Sequence, residues 1–162
     1  MKTKMGRERI KREMIQAFGD AYQAFGISRL MGHVVALLLY ANKPLSLDDI
    51  AAELGMSKGP ISQVTRRLKD HNLIRKVWVP GTRKDFYEVH PEIFSNAFRN
   101  VTALVRQNKT IASTLLQEVR QLNDPEIQTL KKRLEEMERF YELMLQYNRQ
   151  FLKEWTGEDG ES

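Results

Sequence analysis

Over residues 7–25 the apolar side chains Ile10, Met14, Ala17 or Phe18, Ala21 and Phe25 recur at helical spacing, and Gly26 follows as a break. Residues 28–42 predict a second, mostly buried helix around "VVALLLYA" at 34–41. Ser28 stands as its cap, and "NKP" at 42–44 is the stop, because the residue before a proline avoids helical geometry. Ser46 then has the character of an N-cap. Asp48 and Asp49 follow in the first turn, where the helix dipole favours carboxylates. Leu47, Ile50, Ala51 and Leu54 form the apolar side of this third helix, and Gly55 suits its left-handed end. Ser57 is the expected cap of a fourth helix over 58–71. Pro60 is tolerated there because first-turn N–H groups have no partner inside the helix.

The pattern changes at residue 74. "IRKVWV" and "DFYEVH" are rich in β-branched and aromatic residues and flank the turn "PGTRK", which predicts a β-hairpin over 74–90. Long helices return over 91–122 and 125–156, with Asp124 as cap and Pro125 in the first position of the second. In that last helix Leu130, Leu134, Met137, Tyr141, Met144, Phe151 and Trp155 step by four and three, Asn148 taking the missing place. Such a seam packs against partner helices. Asn148 either bonds across the seam or meets water at its edge.

Helix, short turn, helix, hairpin is the order of a winged helix-turn-helix. The expected fold is therefore mainly α with a small β-hairpin. A dimerisation helix occupies 1–26, the winged unit 27–90, further dimerisation helices 91–156, and a frayed tail 157–162.

The fourth helix carries the informative chemistry. At about 100° per residue, Ile61, Val64, Thr65 and Leu68 share the face that must enter the core. Gly59, Gln63, Arg66, Arg67 and Asp70 lie opposite, flanked by Pro60 and Ser62. Gln can pair with an adenine edge, Arg with guanine or phosphate, and Ser with base or phosphate. Gly59 lets a backbone approach closely. Ser57 and Lys58 stand where open N–H groups favour a phosphate. The hairpin tip adds Arg83 and Lys84, suited to a narrow minor groove or its flanking phosphates. The expected partner is double-stranded DNA, contacted by Ser57, Lys58, Gly59, Pro60, Ser62, Gln63, Arg66, Arg67, Arg83 and Lys84.

Charge supports this. Of the net +5, residues 1–90 carry 16 Lys+Arg against 9 Asp+Glu, whereas 91–162 carry 10 against 12. Between 57 and 84 eight basic residues face one acid, Asp70.

With those residues in view, "RLMGHVVALLLYANKPLSLDDIAAELGMSKGPISQVTRRLKDHNLIRKVWVPGTRKDFYEV" resembles the MarR superfamily of winged-helix regulators. Within it the stretch is most similar to the branch of the glycine-betaine-synthesis regulator GbsR. The resemblance is carried by "RLMG", "PLSLDDIAAELGMSKG" and "LIRKVWVPGTRKDFYE" and covers about residues 20–90; the helical remainder matches in kind. It implies a homodimer, built from terminal helices, that represses transcription at a near-palindromic operator; a cytoplasmic location is expected separately, because no export signal is visible. Pro60-Ile61 replaces the Asn-Val expected after "SKG", so the resemblance implies no particular operator sequence. Some members of the branch sense choline or related quaternary amines, which makes a small effector a further expectation. Such a ligand needs aromatic faces. Tyr22 and Phe25, following Phe18 on the first helix, are the candidates, set against ordinary core packing. Trp78 and Tyr87 in the hairpin are read as structural.

Other chemistries fit less well. "GMSKG" at 55–59 matches the G-x-S-x-G nucleophile elbow, but that motif requires a strand before the serine, and "LDDIAAEL" predicts a helix. No enzyme activity is expected. There is no cysteine, and His33, His71 and His90 fit no metal-ligand spacing, so neither metal nor cofactor is expected; His33 is read as a satisfied core histidine. The N-terminal stretch has no apolar run like that of an export signal, and 34–41 is too short to span a bilayer. The alternative reading is a winged-helix subunit that contacts proteins in a transcription complex.

Overall fold

The computed structural model describes residues 2–157. Its elements in chain order are α1 (Lys2–Ala24), α2 (Arg29–Tyr40), β1 (Leu45–Ser46), α3 (Leu47–Leu54), α4 (Lys58–Asp70), β2 (Ile74–Val77), β3 (Phe86–Val89), α5 (Ile93–Val119) and α6 (Gln128–Thr156), with a 3-10 turn at Pro125–Ile127. The chain forms two compact units, which meet between Asn96 and Ala97 within α5.

In the first unit α2 is the buried axis. Val34, Val35, Leu37 and Leu38 pack with Ile50 of α3, Ile61 and Leu68 of α4, Ile74 of β2 and Tyr87 of β3. The hairpin is in fact part of a three-stranded antiparallel sheet ordered β1-β3-β2. Leu45 and Ser46 pair with Tyr87 and Phe86, a strand too short to leave an alternating pattern. Ser46 closes that strand and also caps α3. Its hydroxyl accepts from Asp49 N at 3.1 Å, and Asp49 Oδ2 accepts from Ser46 N at 2.9 Å. Those bonds from Ser46, backbone first, hold the Asp49 carboxyl below its usual pKa. Gly55 (φ 61) ends α3, with Met56 N donating to Ala51 O. Asn72 (φ 56) does the same for α4, with Leu73 N donating to Leu68 O at 2.9 Å.

Four sequence readings need correction. Helix α1 lies within the expected 1–26, but it meets the core through Ile15, Phe18 and Tyr22, while Ile10 and Phe25 are exposed. Of the expected stripe Phe18 reaches the core, and contact with α2 brings Ile15 and Tyr22 in beside it. Ser28 and Ser57 occupy N-cap positions, but neither side chain makes a capping hydrogen bond. Trp78 is 81% exposed, because β2 ends at Val77 and the chain leaves the sheet there; Tyr87 does lie in the core. His33 is not satisfied: its Nε2 is buried against Gly19 and has no hydrogen-bond partner among the described residues.

In the second unit α5 and α6 share a small core of Leu116, Val119 and Leu134, with Ile127 against it. Farther along, Ser113 Oγ donates to Glu138 at 2.6 Å, the Phe98 and Phe151 rings lie 4.5 Å apart, and Lys109 pairs with Glu142. Asn148 Nδ2 donates to Thr102 Oγ1 at 3.1 Å, so of its two roles the interhelical bond is the one made. The seam is realised at Leu134, Tyr141 and Asn148, whereas Leu130, Phe151 and Trp155 are largely exposed, Phe151 keeping its ring contact with Phe98; Leu145, outside the expected seam, is buried.

Candidate nucleic-acid interface

Helix α4 is held by the four residues its periodicity places inward. Ile61, Val64, Thr65 and Leu68 are all buried, and α4 packs on α2, α3 and β2. Thr65 is acceptable inside because its hydroxyl donates to Ser62 O at 3.1 Å. This anchoring fixes the helix's rotation. Lys58, Gly59, Pro60, Gln63, Arg66 and Arg67 are therefore exposed and Ser62 is half-buried. Lys69, absent from the expected contact set, is exposed beside them. Gly59 is open above its Cα, with no atom within 4 Å of where a Cβ would stand. Ser57 sits at the helix start with its hydroxyl uncommitted to the cap.

The sheet presents its cations differently. Arg75 and Glu88 are direct cross-strand partners, and Arg75 Nε and Nη2 reach Glu88 Oε1 at 2.8 and 2.6 Å. Lys76 pairs with Asp85 at 2.6 Å, which raises the lysine's pKa. At the turn, Gly81 (φ 81) turns the backbone and Thr82 Oγ1 accepts from Lys84 N at 3.1 Å. Lys84 Nζ reaches back to Asp48 Oδ2 at 2.9 Å, while Lys58 Nζ meets Asp48 Oδ1 at 2.5 Å. Hydrogen bonds from Lys58 and then Lys84 pull the Asp48 carboxyl down to about 2. Four of the eight basic residues are thus matched by three acids, Asp48, Asp85 and Glu88, all of them outside the counted stretch. Arg66, Arg67, Lys69 and Arg83 make no ion pair among the described residues. Asp48 is the residue that sequence reasoning missed. Its place in the first turn of α3 explains it locally, and no spacing announces a bridge to two lysines so far along the chain.

The remaining candidates are not brought together. Tyr22 is half-buried, which raises its hydroxyl pKa, and its ring lies 6.3 Å from Phe18, whereas Phe25 stands past the helix end and is 84% exposed. They do not form two walls of one cage. The elbow reading of Ser57 lacks its structural context, because α3, a helix, precedes the turn. No group of three or more His, Asp or Glu side chains among the described residues could hold a metal ion. No described helix is long and apolar enough to cross a membrane.

Residues 37–75, from within α2 to the start of β2, match the family model for winged helix-turn-helix DNA-binding. YvaV of Bacillus subtilis strain 168, described as an HTH-type transcriptional regulator, is 30% identical over 124 residues, 74% of this chain and 70% of that protein. The chain belongs to the HTH-type transcriptional regulators. Within them it is also similar to the HTH-type transcriptional repressor GbsR of the same organism, 26% identical over 117 residues, 65% of this chain and 64% of GbsR. This regulator therefore spans rather less than two thirds of GbsR's own length. Its fold matches the crystal structure of a transcriptional regulator with a TM-score of 0.77 at 21% identity, covering 91% of this chain and 99% of that one. The regulator's DNA-binding element is the helix-turn-helix of α3 and α4, and its relatives belong to a class of regulators rather than enzymes.

Proposed function

We propose that this regulator is a homodimeric, cytoplasmic repressor that reads a near-palindromic operator with α4 in the major groove and the β2–β3 turn against the flanking backbone. The observation that carries the reading is the outward face of α4. Gln63, Arg66 and Arg67 project from a helix whose other side is locked into the core, and neither arginine has an acidic partner among the described residues. In this reading Gln63 and Arg66 read base edges. Arg67, Ser57, Lys58 and Ser62 hold phosphates, and Gly59 and Pro60 allow close approach. Arg83 and Lys84 reach the minor groove or its phosphates.

Dimerisation is supported by apolar side chains left exposed on the long helices, among them Val101, Leu104, Ile111 and Leu115 of α5 and Phe140, Leu143 and Tyr147 of α6. A two-fold dimer of this kind would set its α4 helices about 34 Å apart, one turn of DNA. A small effector would act by favouring a different spacing of the two DNA-binding units. Tyr22 and Phe25, as placed, do not furnish its cage.

A gel shift of the purified chain with DNA from around its own gene tests the reading. A shift on a discrete fragment that weakens steeply with salt is expected. Failure to shift any fragment, with the chain folded and dimeric, would favour a winged helix that contacts proteins instead.

A further inference from the structure

Asp48 lies in the first turn of α3, yet its two carboxylate oxygens are taken by lysines from two other elements. Oδ1 meets Lys58 Nζ, at the start of α4, at 2.5 Å, and Oδ2 meets Lys84 Nζ, beyond the β2–β3 turn, at 2.9 Å. A phosphate offers the same thing to these lysines: two or more anionic oxygens within reach of two ammonium groups. Both lysines are largely exposed, so the bridge faces water and can exchange. Arg83, the turn's other cation, has no such acid among the described residues.

We infer that Asp48 is a built-in competitor for the DNA backbone, which holds Lys58 and Lys84 in the unbound regulator and gives them up to phosphates on binding. This rests on the proposed DNA interface. Its consequence is a selective brake. Any duplex, of whatever sequence, must displace Asp48 to gain two backbone contacts, whereas the base contacts of Gln63 and Arg66 are untouched. The carboxylate therefore lowers affinity for all DNA alike and leaves discrimination to α4. It also tethers the start of the reading helix to the turn of the sheet while no DNA is present, which keeps the two surfaces in one relative position.

The test compares the wild-type chain with Asp48→Asn, which keeps the shape and removes the charge, and with Asp48→Ser as a second replacement. Each is titrated against a fluorescent mixed-sequence duplex of about three helical turns, at salt concentrations between about 50 and 200 mM. The variants should bind about 3–10-fold tighter at the low end, with the slope of log affinity on log salt steeper by about 1 to 2. The same replacement in a Lys58→Gln/Lys84→Gln background should give no gain. Unchanged or weaker binding by both variants would overturn the inference, as would an equal gain without the two lysines, which would be a general effect of net charge. A wild-type chain with no salt-dependent affinity for DNA would remove the proposed function itself, an outcome distinct from either of these.

Discussion

Gly32 and Phe18 touch backbone to backbone: a Cβ on Gly32 would stand 2.4 Å from the Phe18 carbonyl oxygen and 3.0 Å from Gly19 Cα. The obstacle is main chain, which cannot swing aside as a side-chain end can. Gly32→Ala should push α1 away from α2 and cost about 1–3 kcal/mol, as overpacking usually does. The urea midpoint should fall with little change in slope. Gly59 is the contrast. It has open space above it, so Gly59→Ala should raise stability by about 0.5–1 kcal/mol. The same methyl group should weaken DNA binding, because it stands on the face proposed to meet the duplex. A Gly32→Ala chain as stable as wild type would show that the two helices are not in contact here.

His33 sits across the same contact, its ring against Gly19. Burial first, and then the nearby Arg29, lower its pKa, with Asp20 opposing. The sign follows from linkage. A histidine whose folded pKa lies below its unfolded value of about 6.5 binds fewer protons folded than unfolded, so its contribution is complete above about pH 6.5 and is lost as the pH falls below it. Thermal melting of the wild-type chain should therefore drop between about pH 7 and pH 5.5, a window above the range of ordinary carboxylates. His33→Asn, neutral throughout, should flatten that dependence. An equal drop in both proteins would assign it to other groups.

The roles proposed for the exposed cations separate by salt and by sequence. Arg66→Ala or Gln63→Ala should weaken binding to the preferred fragment by about 1–3 kcal/mol while leaving mixed-sequence DNA nearly unaffected, as loss of a base contact does. Arg83→Ala should weaken both about equally and reduce the salt slope by about 1. Titrations on the two duplexes at several salt concentrations distinguish the patterns. Arg66→Ala with full affinity and selectivity would mean that the outward face of α4 is turned differently on DNA.

What could be read in advance follows the range of the forces involved. Periodicity placed Ile61, Val64, Thr65 and Leu68 in the core, and with them the whole outward face of α4, because burial of one stripe fixes the rotation of a rigid helix. Ser46 and Gly55 were legible as helix punctuation because caps are local. Strand β1 was not, since a pair of residues shows no alternation. Asn72 ending α4 went unread because a left-handed asparagine is rarer than a glycine there. The fate of individual charges was the least legible. Lys58 and Lys84 looked equivalent to Arg66 and Arg83 in the sequence, and only the fold brings Asp48 between the first two. Trp78 shows the same limit from the apolar side: its type suits a strand, but its position one residue past Val77 leaves it in solvent.

Asn148 and Thr102 supply a test within the second unit. The Asn148 amide donates to the Thr102 hydroxyl at 3.1 Å, and Thr102 is only 6% exposed. A polar pair in such a place costs little while both members are present and more when one is left alone. Asn148→Leu should strand the Thr102 oxygen and lower stability by about 1–3 kcal/mol. Thr102→Val should do the same to the amide, though less, because Asn148 is only half-buried and water can reach it. The double replacement should recover most of the loss, since it exchanges the pair for apolar contact of similar shape. Denaturation of the four proteins closes the cycle. Additive losses would mean that the two side chains do not depend on one another, and that the register of the helices rests on their other contacts, Ser113–Glu138 and Phe98–Phe151 among them.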